Sequence, residues 1–239
     1  MLLAIPYSMA ELSAAVAEVI EAFGATEGYI RLVVTRGAGS LGLDPSRCER
    51  PNLFLITDQV ALVSEDKQRV GLELVTASTR RPGPTVLDPR IKSLNYLNNI
   101  LAKLEARRVG ADEALLLNDQ GYVTEGTAEN IFIARRGCLL TPPVSDGARD
   151  GITRGIVLEL CAALEIEVSE QSLTPYDVYI ANECFLCGTG TGLLPVRAVD
   201  GRPMNRTPGP LFKQIQSACL KLIESESNSA DRIALSKRH

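Results

Sequence analysis

Apolar positions switch between two spacings along this chain, and the switches lay out its elements. Ser8-Met9-Ala10-Glu11 has the form of a capping box, in which hydroxyl and carboxylate satisfy free N–H groups ahead of an apolar helix that runs to Gly24. Residues 29–34 then alternate as a strand does, and residues 53–57, 60–64 and 71–77 are further β-rich runs. The charged Glu65-Asp66-Lys67 breaks this series and marks the expected boundary between a small N-terminal domain, residues 1–65, and a larger one, residues 69–239. Leu94, Leu97, Leu101 and Leu104 recur at helical spacing until Gly110 stops the helix, with Lys92 at its entry. Residues 114–117, 122–124 and 130–134 are expected to be short strands of one meander. A helix from Thr153 carries Ile156, Val157, Leu160 and Leu164 inward, residues 183–187 make a late strand, and a last helix follows Pro208. The polar tail, residues 224–239, is expected to fray. Two α/β (α+β) domains are the architecture this pattern implies, the first of them small.

Composition narrows the partners. With 239 residues, 45% of them hydrophobic, the chain is long enough to bury a core in each domain. A net charge of −4 gives no basic excess to draw it onto nucleic acid or an anionic membrane, which leaves small molecules as its partners. No run approaches the ~20 apolar residues of a membrane span, and the start lacks the basic region and cleavage site of a secretory signal, so a cytoplasmic location is expected. The six cysteines are scattered through apolar runs as reduced core residues are. His239 is the one histidine, which removes imidazole bases, His-paired nucleophiles and His metal ligands from consideration, and no metal is expected.

Several short motifs compete for the remaining chemistry. Gly37-Ala38-Gly39-Ser40-Leu41-Gly42 matches a dinucleotide fingerprint, but Asp44-Pro45 and Pro51 forbid the helix whose N-terminus would hold a pyrophosphate. Cys184 and Cys187 have the spacing of a zinc half-site or redox pair, but no second pair completes it, and a strand would point the thiols to opposite faces. Gly151-Ile152-Thr153-Arg154 sits where a loop turns into a helix, a natural phosphate cradle or an ordinary helix cap. Gly188-Thr189-Gly190 carries the same two readings, an anion cradle or a simple turn. Combined with Lys92 and Glu125, these segments supply an amine nucleophile, a carboxylate able to face a pyridinium nitrogen and two phosphate cradles. An aldehyde cofactor demands those parts.

In order and spacing, Ile91-Lys92-Ser93-Leu94-Asn95-Tyr96, Val123-Thr124-Glu125-Gly126 and the two cradles resemble the fold-type IV pyridoxal-phosphate enzymes. The resemblance covers residues 6–216 and is nearest to the branched-chain amino acid aminotransferases, on Tyr96, Gly42-Leu43-Asp44-Pro45 and Tyr29-Ile30-Arg31. It implies that Lys92 holds pyridoxal 5'-phosphate as a Schiff base and shuttles the substrate's proton. It further implies that Glu125 pairs with the pyridine nitrogen, that Tyr96 meets the phenolic oxygen, and that Ile152, Thr153 and Thr189 hold the phosphate. Tyr29 and Arg31 would border the substrate, and the backbone at Gly190 and Thr191 would meet its carboxylate. The reaction implied is transamination of branched-chain L-amino acids with 2-oxoglutarate. Aminodeoxychorismate lyase and D-amino acid aminotransferase are the alternatives within the family, and a non-catalytic remnant is the alternative outside enzymology. Relatives carry some tens of further residues upstream, with an arginine for the phosphate, so the resemblance implies a two-domain fold whose small N-terminal domain is incomplete here, and they have Ala-Glu or a similar pair where Thr191-Gly192 stands here. They are dimers or assemblies of dimers, so a homo-oligomer is expected.

Overall fold

The computed structural model describes residues 3–25, 27–59 and 63–236, and the chain forms two compact units, Met1–Leu62 and Val63–His239. In the first, α1 (Met9–Phe23) starts at Ser8, whose Oγ accepts from the Glu11 N–H at 3.3 Å while the Ser8 N–H donates to Glu11 at 2.7 Å. The helix packs on an antiparallel pair, β1 (Tyr29–Thr35) and β2 (Asn52–Asp58). Residues directly opposite share a face of the pair, so Arg31, Val33, Phe54 and Ile56 lie on one side and Leu32, Val34, Leu53 and Leu55 on the other. The glycine-rich segment after β1 enters no helix. It forms a bridge, Gly39 to Cys48, and a single 3-10 turn over Pro45–Arg47, as the prolines require.

Of the strand expected over residues 60–64, Val60, Ala61 and Leu62 lie outside the described residues, and Ser64 caps a helix, α2 (Glu65–Val70). Acidic residues in the first turn and basic ones in the last suit the helix dipole, so the charged stretch is itself an element. Then follow β3 (Leu72–Arg80), α3 (Pro84–Leu87), α4 (Leu97–Arg108), β4 (Glu113–Leu117), β5 (Val123–Glu125), β6 (Asn130–Arg135) and β7 (Cys138–Thr141). The chain continues through α5 (Ile152–Ala163), β8 (Val168–Glu170), α6 (Pro175–Tyr179), β9 (Glu183–Gly188), β10 (Gly192–Val199), β11 (Arg202–Pro203) and α7 (Pro210–Ser236). Helix α7 runs past Glu224, where a frayed tail was expected, as far as Ser236.

The strands make one curled nine-stranded sheet in the order β5-β4-β3-β10-β9-β6-β7-β8, with β11 beside β10. The expected meander is therefore broken: β4 pairs with β5, but β6 pairs with β7 and β9. With β7 on one edge and β9 on the other, β6 is an inner strand whose residues 130–134 are buried on both faces, whereas the three-residue β5 ends the sheet. Ile131, Ile133, Cys184 and Leu186 enter one core cluster, while Phe132, Phe185 and Cys187 enter another under α5 and α7. Cys184 and Cys187 thus face opposite sides of the sheet, and burial pushes both thiols up, the second to about 12. Among the described residues, no helix is long and apolar enough to cross a membrane.

Candidate active site

Strand β3 delivers the first charged group. Just past its end, the Arg81 N–H donates to Leu117 O at 2.8 Å, and the guanidinium reaches Glu125 Oε1 at 2.6 Å. Both side chains are buried, 8% and 5% exposed, so each charge depends on the other. The second carboxylate oxygen of Glu125 accepts from the Arg149 N–H at 2.8 Å and from Asn130 Nδ2 at 3.3 Å. Burial pushes the Glu125 carboxyl up, against the pull of Arg81, of the Arg149 N–H and of the more distant Lys92. Sheet curling creates this cluster, because it brings the end of β5 against the start of β6.

Lys92 lines the same cavity as Glu125. The helix expected to begin at Leu94 begins at Leu97; before it, the Ser93 and Tyr96 N–H groups turn back onto Ile91 O and Leu94 O at 2.9 and 3.0 Å. Lys92 and Tyr96 still meet, Nζ donating to the phenol oxygen at 3.3 Å, through this irregular loop and not through a helical turn. Arg81, Lys92, Tyr96, Glu125, Asn130 and Arg149 all line one cavity of about 310 Å³. That volume falls in the range of small-molecule sites.

The two cradles also meet. Thr153 Oγ1 lies 3.4 Å from Thr189 Oγ1, which joins the start of α5 to the β9–β10 turn. No side chain caps α5, so its first N–H groups have no partner from the helix or from a capping side chain. Ile152 is 80% exposed there. These residues are not part of the cavity lining, but the two places are linked through Gly151, where a Cβ would stand 2.2 Å from Asn130 Oδ1. Only glycine at this helix start lets Asn130 reach Glu125. At the turn, Thr191 Oγ1 is buried with no partner, and it lies 3.2 Å from the point where a Cβ on Gly188 would sit. Gly190 is exposed on the same turn. Tyr29 and Arg31 stand on β1 in the first unit, whereas the cavity lining belongs wholly to the second. Among the described residues, no group of three or more His, Cys, Asp or Glu could hold a metal.

The sequence motifs single out none of Arg81, Arg149, Asn98, Asn99 and Asn130. The signal for Arg81 was slight: two arginines before a proline at the end of a β-run. Nothing local marked Arg149.

The sequence profile described as Amino-transferase class IV matches residues 1–199. A Methanocaldococcus jannaschii protein provisionally named branched-chain-amino-acid aminotransferase is 44% identical over 214 residues, which is 89% of this chain and 73% of that one. The crystal structure of the Escherichia coli branched-chain amino acid aminotransferase matches with a TM-score of 0.88 at 33% identity, over 92% of this chain and 73% of that one. The branched-chain amino acid aminotransferase from Thermobaculum terrenum, in its PLP holo-form, matches with a TM-score of 0.82 at 30% identity, over 92% of this chain and 72% of that one. The residues present suit such a cofactor: an amine and a cation-backed carboxylate share one cavity, and an uncapped helix start with two threonine hydroxyls stands at a place a glycine keeps open. The chain belongs to the class IV aminotransferases and is a pyridoxal-phosphate-dependent aminotransferase.

Proposed function

We propose that this enzyme transfers the amino group of branched-chain L-amino acids to 2-oxoglutarate, with Lys92 as the residue that anchors the cofactor and carries the substrate's proton. The observation that carries this reading is the shared cavity of Lys92 and Glu125, the latter seated on a buried arginine. When bound, pyridoxal phosphate supplies an aldehyde carbon to receive the amino group and a ring to take up electrons from the substrate's α-carbon. Lys92 Nζ is the nucleophile and the proton carrier, and Tyr96 holds it by the 3.3 Å bond while offering its own hydroxyl to the ring's phenolic oxygen. Glu125 holds negative charge against the ring nitrogen, and Arg81 keeps that charge in place inside the protein. The N–H groups of Ile152 and Thr153 and the hydroxyl of Thr189 bind the phosphate. Gly190 and Thr191 take the substrate carboxylate through their N–H groups. Val86, Leu87 and Ile91 line the same cavity and favour an apolar substrate side chain.

We assign the first 65 residues to a small domain and residues 69–239 to the cofactor domain of a cytoplasmic homo-oligomer. Support for self-association comes from α4, whose Leu97, Ile100, Leu101 and Leu104 are all exposed.

Borohydride treatment of the yellow protein followed by peptide mapping tests the anchor. The cofactor should be fixed on Lys92, and Lys92→Ala should lose the label and on the order of 10²–10⁴-fold in kcat. A label on another lysine ends the assignment. Leucine and 2-oxoglutarate should give glutamate; pyruvate from aminodeoxychorismate without amino transfer would select the lyase, and neither product would select the remnant.

A further inference from the structure

Lys92 is held at its side chain by Tyr96 and lies on a loop between α3 and α4. Something else must set its distance from Glu125. The first turn of α4 holds two adjacent asparagines that both line the cavity, and each donates to the backbone of a different segment. Asn98 Nδ2 donates to Arg80 O at 2.8 Å, next in the chain to the arginine that pairs with Glu125. Asn99 Nδ2 donates to Thr127 O at 2.6 Å, two residues beyond Glu125 itself. The backbones on either side of the Arg81–Glu125 pair are thus tied to the helix start that carries Tyr96 and, through it, Lys92. Asn98 Oδ1 is buried without a partner. Turning the amide over would set that oxygen against Arg80 O, so the grip on Arg80 is kept although it leaves a buried acceptor unsatisfied.

We propose that Asn98 and Asn99 are positioning residues that together fix the span between Lys92 and Glu125, and so the seat of the cofactor ring; this rests on Lys92 being the anchor. Neither touches a reacting atom. They act through Tyr96 and through the Arg81–Glu125 pair, and a looser span should misplace the amine against the ring, at a cost of roughly 10- to 100-fold in rate.

The test uses the full-length holoenzyme with the variants Asn98→Ala, Asn99→Ala and Asn99→Asp, the last keeping the shape but not the donor. Three quantities are read: the pH midpoint of the bound cofactor's visible band, kcat, and the melting temperature of cofactor-free protein. Each variant should move the midpoint and lower kcat by about tenfold or more. Glu105→Gln, which loosens α4 elsewhere, should lower the melting temperature and leave the midpoint alone. If Asn99→Ala does not hold cofactor, Asn99→Ser carries the same comparison with a shorter donor. Wild-type midpoint and kcat in Asn98→Ala and Asn99→Asp, or an equal midpoint shift in Glu105→Gln, overturns the clamp while leaving the anchor standing. Borohydride labelling away from Lys92 overturns both.

Discussion

Glu125 and Glu129 stand four residues apart at the hinge between β5 and β6, and burial pushes the carboxyl of each up. Their neighbours separate them. Glu125 has the Arg81 guanidinium at 2.6 Å, while Glu129 has one N–H, from Ala128 at 3.1 Å, and feels the repulsion of Glu113 and Glu125 against the weaker pull of Lys103. Glu129 is raised to about 7 from an ordinary 4.5. The folded protein therefore keeps a proton that the unfolded chain has already released. Stability from this source is whole below 4.5, is lost as the pH rises to about 7, and is flat above that. Glu129→Gln should remove the slope, matching the wild type at pH 4 and exceeding it at pH 8 by on the order of 3 kcal/mol. Urea unfolding of cofactor-free protein across that range measures it, and parallel curves for the two proteins would refute the assignment. At this scale the sequence disclosed two residues that share the cavity, because Lys92 and Glu125 sit in ordered local motifs. It did not disclose Arg81 or Arg149, the latter 24 residues from Glu125, because the curl of the sheet makes those contacts and no local spacing encodes it.

Helix α4 shows what periodicity tells and what it conceals. The leucine spacing announces a helix, and one is there, but the face on the sheet is built from Ala102 and Ala106, both 0% exposed, and Leu97, Leu101 and Leu104 point outward. Small residues let the helix approach β3 and β4 closely, and polar groups fasten it. Glu105 is the chief fastening: one oxygen accepts from the Ser78 N–H and hydroxyl at 2.6 and 2.7 Å, the other from the Thr79 N–H at 3.0 Å and from its hydroxyl. The Thr79 hydroxyl, with the Ser78 hydroxyl and both N–H groups, holds this carboxyl down at about 2 despite some burial. The sign is opposite to that of Glu129, since stability is present above 4.5 and fades as the pH falls toward 2. Glu105→Gln should destabilise the protein at pH 7 by about 1 kcal/mol, a small figure because solvent screens the group. The difference should close near pH 2 to 3 in thermal melts, and an undiminished gap there would disprove the role. Elements with long periodic runs or explicit caps, such as α1, were legible. Where two strands follow one another, as β5 and β6 do, sequence order alone could not say that two-sided burial places them apart in the sheet.

For the molecule as a whole, the outward face of α4 is the surface that the proposed homo-oligomer would bury. Leu97, Ile100, Leu101 and Leu104 repeat at i, i+3, i+4 and i+7, an apolar stripe of the kind that helices bury, yet they are 45% to 63% exposed. Val86 on α3 and Leu94 in the loop that bears Lys92 are also exposed, at 81% and 61%. Exposed apolar residues clustered in this way are what an interface between copies of the proposed homo-oligomer would cover. A second copy meeting it about a twofold axis would cover both stripes at once. Because the loop between α3 and α4 also walls the cavity, assembly and cofactor retention should be linked, with the dimer holding pyridoxal phosphate more tightly than the monomer. Replacing Leu97 and Leu101 together with glutamate puts like charges across the contact without touching the alanine face, so the unit itself should stay folded. Size-exclusion chromatography with light scattering should show a shift from dimer-based mass to monomer, and dialysis should strip the cofactor faster from the variant. A wild-type protein that is monomeric at micromolar concentration, or a variant that keeps the wild-type mass, would place the interface elsewhere.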